Sequence, residues 1–355
     1  MIGIDTAHLK FQMQLPSELL TKPWLMVASQ RKDGSLKIKY WREKYINDAR
    51  INMVYRPEDY QGRSLLVAEI SSLPKLVYGS NIIYLPNIEV GIQAINRVFD
   101  EIFPGIGLDA GQGVLERIDF CHDYDVGDYV DDYIEAISRL SYRNWRRDIF
   151  LNRSKDSRQV RNNGVSFRSA DYEMVFYNKQ LESGVFGLLR QESRLKDTDV
   201  ISAFTGLLVP TLCSITPIMK FNALQRDLER LGLWGTSITG GNLALVELMK
   251  HFPARKAHRL FYILSVIRDH PMMDQKEIAS YLGIGTWMLN QSLSEIKDAG
   301  ITPGLIDRDM MLPPLYLPSP RAEVNEISPK VASDTAIDDS LVTTDEISLT
   351  NQVIK

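Results

Sequence analysis

The stretch from residue 164 to residue 196, GVSFRSADYEMVFYNKQLESGVFGLLRQESRLK, predicts three consecutive β-strands. The predicted strands are 164–168, 172–181 and 188–196, because each is short, contains β-branched or aromatic residues and is separated from the next by turn-forming residues. Successive side chains of a strand point to opposite faces of a sheet. One face of the second strand carries Glu173, Val175, Tyr177 and Lys179, and one face of the third carries Arg190, Glu192, Arg194 and Lys196. The stretch therefore predicts neighbouring strands that share a polar face.

The residues on either side add strands and helices. VLERIDFCHD at 114–123 predicts another strand, and 128–141 predicts a helix with Asp128 as its N-cap. A helix that crosses a set of strands indicates an α+β fold whose sheet has one helix-covered face. Four strands and a helix are predicted upstream, at 36–41, 51–55, 64–70, 82–85 and 88–103. From about residue 220 the pattern is helical, for example at 240–252, 255–269 and 274–299.

The net charge of −4 over 355 residues argues at first against a polyanionic partner. Residues 319–355, however, contain no aromatic residue and carry seven acids against three bases, which predicts a disordered acidic tail. The acids and bases of the remaining residues balance, so the average charge does not exclude nucleic acid. We predict four parts: a β-rich N-terminal domain at 1–108, an α+β catalytic domain at 109–200, a helical DNA-binding region at 201–318 and the tail at 319–355.

The cysteines and the apolar segments indicate a reducing compartment. The chain has two cysteines and no CxxC pair, and its first twenty residues lack the basic and apolar regions of a signal peptide. Residues 200–219 carry no charge and are long enough to cross a bilayer, but two prolines and a glycine interrupt them. We expect a buried irregular helix and loop there; the alternative is a membrane span. The five histidines form no HxH or HExxH pair, which excludes common zinc hydrolase patterns and the paired-histidine form of single-strand nickase.

Alternation places the polar residues of three predicted strands on one face if these strands are neighbours. They are Asp119, Tyr177, Lys179, Glu192 and Arg194. Carboxylates bind Mg²⁺, which can polarise a phosphoryl oxygen. The phenol of Tyr177 could attack phosphorus and form a covalent phosphotyrosine, and a lysine on the same face would favour its phenolate. The alternative is a solvated sheet face with exchangeable ion pairs.

A basic segment, 143–161 (RNWRRDIFLNRSKDSRQVR), precedes these strands. It holds seven bases against two acids, with Trp145 and Phe150 between them, and such a composition suits phosphate contacts and base stacking. The alternative is a solvated loop between a helix and a strand. The basic residues are Arg143, Arg146, Arg147, Arg153, Lys155, Arg158 and Arg161.

Residues 274–301 predict a helix-turn-helix. Apolar residues recur on one face of each helix, two glycines form the turn, and Thr286 can cap the second helix. That helix would enter a DNA major groove, with Trp287 and Asn290 as the residues that reach the bases. An ordinary helical hairpin has the same pattern.

Four stretches resemble, in order, the filamentous-phage gene II/X family of replication initiators, also called phage/plasmid replication proteins. The resemblance covers roughly residues 50–200 and continues weakly into the helical region. Two positions depart from the family pattern, Glu116 before the RID strand and Gln191 before the last acid, and neither belongs to the expected chemistry. The stretches are Val67–Gly79 (VAEISSLPKLVYG), Glu116–Phe120 (ERIDF), Met174–Glu182 (MVFYNKQLE) and Leu189–Lys196 (LRQESRLK).

The resemblance implies roles for residues of these stretches. Tyr177 would be the nucleophile, with Lys179 beside it. Asp119 and Glu192 would bind Mg²⁺ or Mn²⁺, with Glu69 as a weaker third ligand. Arg190 and Arg194 would hold phosphate, the latter bidentately.

The implied function is site-specific nicking of one DNA strand and its later rejoining, which start and end rolling-circle replication. The implied fold is an antiparallel nicking domain without paired histidines, and chains of about this length occur in vibrio filamentous phages. The implied partners are double-stranded phage origin DNA, the displaced single strand, host helicase and DNA polymerase, in the bacterial host cytoplasm and without a membrane. Two alternatives stay open: a relaxase of a plasmid or mobile element, and a non-catalytic helix-turn-helix repressor or copy-number regulator.

Overall fold

The structure of the chain is a computed structural model. It describes residues 1–21, 23–30, 36–58, 62–142, 145–153 and 160–320. The predicted acidic tail lies outside these ranges apart from its first two residues.

Ten strands form one antiparallel sheet, in the spatial order β2-β3-β4-β5-β1-β6-β10-β9-β8-β7. The predicted α+β class with an antiparallel sheet is thereby confirmed. The strands are β1 Gly3–Gln12, β2 Leu25–Gln30, β3 Leu36–Ile46, β4 Ala49–Arg56, β5 Leu65–Ile70, β6 Val114–Asp125, β7 Arg146–Arg153, β8 Val160–Arg168, β9 Tyr172–Asn178 and β10 Leu188–Leu195.

Strand β1 lies at the centre of this sheet. It pairs antiparallel with β5 on one side and β6 on the other, so that Ala7 is the Cα partner of both Ile70 and Ile118. Strands β5 and β6, which lie on either side of the predicted boundary after residue 108, are thus joined through β1 in one continuous sheet. A bulge follows Ile4, where two residues of β1 oppose the single residue Asp119 of β6.

Helices cover one face of the sheet and leave the other polar. The apolar core joins this face, for example Phe176 and Phe120, to helical residues such as Phe99 and Leu228. Burial of each such side chain contributes roughly 1.5–3 kcal/mol. The helices are α1 Leu73–Tyr78, α2 Ile88–Ile102, α3 Val130–Ser138, α4 Gln180–Ser183, α5 Thr198–Thr205, α6 Pro217–Leu231, α7 Gly241–His251, α8 Ala254–Asp269, α9 Gln275–Tyr281 and α10 Thr286–Asp298.

Several predicted elements differ from the structure. Residues 82–85 form no strand, because the central strands already have neighbours on both sides and the segment instead packs Tyr84 against Gly3 at their ends. Asp128 is not the N-cap of α3, since it lies in a short 3-10 turn and no side chain caps the helix. Strands β1, β2 and β7 were not predicted, and β7 lies in the predicted basic segment.

The C-terminal part combines α7–α10 with a small sheet of β11 (Ser237–Gly240), β12 (Ile301–Ile306) and β13 (Met311–Leu312). A capping box of Asp274 and Glu277 begins α9. Gly285 is the N-cap residue of α10 and no side chain caps that helix, so the predicted Thr286 cap is absent. The two helices of the predicted helix-turn-helix are present, and their use in DNA binding stays a prediction.

The charge-free segment 200–219 contains the end of α5, a short 3-10 turn and the start of α6. Within the described part of the chain, no helix has the length and apolar character needed to cross a bilayer.

Candidate active site

Tyr177 and Glu192 are joined directly on the polar face of the sheet. Tyr177 is the second-last residue of β9, and its hydroxyl donates a hydrogen bond to Glu192 Oε1 of β10 at 2.8 Å. Arg194, two residues further along β10, donates from Nη2 and Nε to Glu192 Oε2 at 2.6 and 2.9 Å. A phenol, a carboxylate and a guanidinium thus form a chain in which the carboxylate is buried, with 2% of its surface exposed.

Asp119 of β6 lies on the other side of Arg194. Arg194 Nε is 3.9 Å from Asp119 Oδ2, whereas Arg117 binds both oxygens of Asp119, at 2.9 and 2.6 Å. Burial raises the pKa of Asp119, and the two guanidinium groups oppose this effect. Asp119 and Glu192 therefore belong to one network and are bridged by arginine.

Lys179 reaches Tyr177 from the connection after β9, since the strand ends at Asn178 and not at the predicted residue 181. Its ammonium is fully buried, 3.5 Å from the Tyr177 hydroxyl and 2.6 Å from Glu182 Oε2. Although burial opposes it, the bond to Lys179 lowers the pKa of Glu182 to about 2. Lys179 is thus already paired with a carboxylate.

The pKa of Tyr177 lies far above that of a free phenol. Burial is the main cause and the neighbouring Glu192 carboxylate is the second. The expectation that Lys179 favours the phenolate is therefore not met in this arrangement. Ionisation of Tyr177 would need a base that takes its proton, and Glu192 is the carboxylate that its hydroxyl contacts.

Arg190 is the Cα partner of Tyr177 on β10 and is completely buried. It binds Asp123 through Nε and Nη2 at 2.5 and 2.6 Å, and Nη2 also donates to the carbonyl of Asn81. Its Nη1 is buried without a hydrogen-bond partner among the described residues. The Nε and Nη2 groups of Arg190 therefore hold the ends of the strands together, and its Nη1 group remains available as a donor.

Gly164 of β8 is the Cα partner of Tyr177 on the other side. A Cβ at this position would lie 2.6 Å from both the Phe176 carbonyl oxygen and Tyr177 Cβ. Only glycine leaves room for the tyrosine here. Sequence reasoning missed this residue, although a glycine within a strand is a signal for close approach.

Asp5 is a second residue that sequence reasoning missed. It lies in the β1 bulge, and its Oδ1 accepts a hydrogen bond from the Ser72 hydroxyl at 2.9 Å. Burial, followed by the charge of Glu192, raises the pKa of Asp5 to about 7. The alternation of Ile2, Gly3, Ile4 and Asp5 was the signal that could have revealed it.

Of the three acids expected to bind Mg²⁺ or Mn²⁺, Asp119 and Glu192 lie on either side of Arg194 and Glu69 lies apart from them. Glu69 of β5 accepts a hydrogen bond from Asn52 of β4. Strand β5 is three strand spacings from β10, so Glu69 and Glu192 are at least about 14 Å apart. Asp119 and Glu192 already bind guanidinium groups, and no three His, Cys, Asp or Glu residues of the described chain are grouped as metal ligands. The residues as arranged do not fit a divalent cation, which would have to displace arginine from these carboxylates.

The predicted DNA-binding residues have different environments. Arg146 is exposed and pairs with Asp148, whereas Arg147 donates to the carbonyls of Leu140 and Pro271. Arg143, Lys155 and Arg158 lie outside the described residues, and the side chains of Arg153 and Arg161 are likewise not described. On α10, Thr286, Trp287 and Asn290 are exposed, with 74% of Trp287 accessible.

No protein-family model and no curated protein matches the chain. Among solved structures, it is similar to a rolling circle replication initiator protein from Geobacillus stearothermophilus. The two share 10% sequence identity over 57% of this chain and 77% of the other, with a TM-score of 0.33. At this TM-score the assignment of function rests on the geometry of the site.

Proposed function

We propose that the chain is a DNA-nicking and strand-joining enzyme that initiates and terminates rolling-circle replication. The observation that supports this proposal is the 2.8 Å hydrogen bond from the Tyr177 hydroxyl to Glu192, with Lys179 and Arg194 on either side. A nucleophile bonded to a base that a third group orients is the usual arrangement of covalent catalysis. The substrate is a phosphodiester of double-stranded origin DNA.

In the proposed reaction, the Tyr177 oxygen attacks phosphorus while Glu192 accepts the phenolic proton. A bond forms between this oxygen and phosphorus, and the bond from phosphorus to the 3′ oxygen breaks. The 3′ oxygen leaves with the bonding electrons and takes a proton from water. The product is a 5′-phosphotyrosine and a free 3′-hydroxyl, and the reverse reaction with a new 3′-hydroxyl rejoins the strand.

The cations of the site stabilise charge during this transfer. Lys179 lies 3.5 Å from the attacking oxygen, and the unpaired Nη1 of Arg190 is a further donor in the neighbouring strand. Fixed donors in a buried site stabilise developing charge more strongly than water does. No step of this mechanism uses a metal ion. A relaxase of a mobile element would use the same chemistry on a different DNA.

The test is the identification of the residue that becomes linked to the 5′ end of nicked supercoiled DNA. Tyr177→Phe is expected to bind DNA and to form no covalent complex. Tyr124→Phe is the matched control, since Tyr124 on the neighbouring β6 is buried and donates a 2.6 Å hydrogen bond to Gln191 on the opposite face. Nicking by Tyr177→Phe at the rate of this control would overturn the proposal. Failure of the wild type to bind DNA would also overturn it.

A further inference from the structure

A cavity of about 280 Å³ lies between the sheet body and the C-terminal helices. Its wall is formed by the residues after α3, the end of α6 and one side of α9 and α10. Three basic side chains line it, Arg139, Arg230 and Lys297, together with the ring of Tyr142 and the amide of Asn290. The volume is below the ~300–1,000 Å³ of sites for drug-sized ligands, so it suits one chemical group of a larger ligand.

Lys297 is the unpaired cation of this cavity. Its side chain is half-buried, and the stem passes over Gly232, the left-handed residue that ends α6, where a Cβ would clash with it. No other described residue forms a hydrogen bond or an ion pair with its ammonium. Burial lowers the pKa of Lys297. A partly buried charge without a partner is costly, and an anion in the cavity would relieve that cost.

The guanidinium of Arg230 packs against three aromatic rings. Its Cζ lies 5.6 Å from the ring centroid of Tyr142, 5.4 Å from that of Trp145 and 5.1 Å from that of Tyr172. Its hydrogen bond to a described residue runs from Nη1 to Asp227 Oδ1 at 3.4 Å, which leaves most of its five N–H donors available.

Arg139 differs from these two cations. It already binds Glu135 and Asp307, at 2.5 and 3.2 Å. Arg230 has one longer ion pair, with Asp227 at 3.4 Å, so the available positive charge of the cavity comes first from Lys297 and second from the remaining donors of Arg230.

We propose that this cavity binds one phosphate group of a nucleic-acid strand, between Lys297 and Arg230. A planar guanidinium with free donors and a compact ammonium are the two side-chain groups that proteins use for phosphate. The inference rests on the proposed function, because it takes DNA to be the substrate.

The phosphate bound here is not the one that is cut. Tyr172, which stacks on Arg230, begins β9, and Tyr177 lies five residues further along on the opposite face, about 16 Å away. The cavity therefore contacts DNA that flanks the nick. Strand β7, with the exposed Arg146, forms the edge of the sheet between the two faces.

The test is the salt dependence of binding to a fluorescently labelled DNA duplex. Lys297→Met is expected to weaken binding several-fold and to lower the slope of log K against log[salt] by ~0.9, the value for one phosphate contact. Lys44→Met is the matched control, because Lys44 is half-buried on the distant strand β3 and already pairs with Glu101. An unchanged slope and affinity in Lys297→Met would overturn the inference.

A second variant fills the cavity without changing its charge. Ser294→Phe places a bulky ring in the cavity from an exposed position of α10 and changes no charge, and it is expected to weaken DNA binding as Lys297→Met does. Wild-type affinity in a folded Ser294→Phe variant would argue against the cavity as the binding site.

Free phosphate or a nucleotide has the same chemistry as a DNA phosphate. A third test distinguishes these sources by comparing the thermal stability of the wild type and of Lys297→Met in the presence of inorganic phosphate and of dAMP. Stabilisation that is lost in Lys297→Met, while DNA binding is unchanged, would overturn the inference in favour of a free ligand. Failure of the wild type to bind any DNA would overturn the proposed function. If the wild type nicks DNA through Tyr177 but Lys297→Met binds DNA as tightly as the wild type, this inference alone would be overturned.

Discussion

Asp5 and Glu192 face each other across strand β6 on the polar side of the sheet. Glu192 is the Cα partner of Cys121, and the β1 bulge places Asp5 on the other side of the same strand. The charge of Glu192 is one of the causes that raise the pKa of Asp5. The carboxylate that accepts the hydrogen bond of Tyr177 thus has a second carboxyl group beside it.

This pair predicts a pH dependence of stability. The pKa of Asp5 rises from 3.8 to about 7, first through burial and then through Glu192. The unfolded chain loses this proton near pH 4 and the folded chain near pH 7, so the free energy of unfolding decreases as the pH rises between these values. Asp5→Asn removes the effect. We expect Tm of the variant, relative to the wild type, to increase from pH 4 to pH 7 and to stay level above.

The control for this measurement is Asp125→Asn, at the exposed end of β6. Its Tm should follow the wild type at every pH. Parallel curves for Asp5→Asn and the wild type would show that Asp5 titrates as in an unfolded chain.

Glu192→Gln tests the proposed base. The amide keeps a hydrogen bond to Tyr177 but cannot take its proton, so formation of the covalent complex should slow by about 10²–10⁴-fold. The measurement is single-turnover linkage to DNA. Glu173→Gln is the control, because Glu173 is also buried on this face and binds Lys196 at 2.5 Å without contacting Tyr177. An unaltered rate in Glu192→Gln would assign the proton to another acceptor.

Gly164→Ala tests the position of Tyr177. The added methyl group would meet Tyr177 Cβ and the Phe176 carbonyl at 2.6 Å, so the tyrosine must move. A displacement of ~1 Å can cost about 10²-fold in rate. We expect nicking to fall further in Gly164→Ser than in Gly164→Ala, while DNA binding is retained. A normal rate in both variants would show that β8 shifts to make room for the side chain without moving Tyr177.

Arg146 and Arg147 are adjacent in the sequence and should give opposite results. Arg147→Met loses hydrogen bonds to the carbonyls of Leu140 and Pro271, which should lower the free energy of unfolding by about 1–3 kcal/mol. Arg146→Met, 73% exposed, should leave stability unchanged and lower the salt slope of DNA binding. Urea unfolding and DNA titration measure the two effects, and an exchange of the two outcomes would contradict the assignment.

The sequence was sufficient to place Tyr177, Glu192 and Arg194 together. Their strands follow one another along the chain and pair directly, so alternation alone decides which side chains share a face. It was not sufficient for Asp5, because β1 was not among the predicted strands. The bulge after Ile4 also shifts the alternation, so that Ile2 and Ile4 and then Ala7 and Leu9 face the core.

Arg147 shows a different limit of sequence reasoning. A run of basic residues does not reveal which cation turns inward, and the Arg147 partner Pro271 lies 124 residues away. Lys179 was predicted in part. It reaches Tyr177 as expected, but it does so from the segment after β9, where its ammonium also binds Glu182.

The central position of β1 has a consequence for translation. A product that started at Met13 would lack all of β1 and, with it, Asp5. Strands β5 and β6 would each lose a partner, leaving two unpaired edges in what had been the middle of the sheet. Such a product would lack an intact sheet around Tyr177, and its exposed edges would favour self-association.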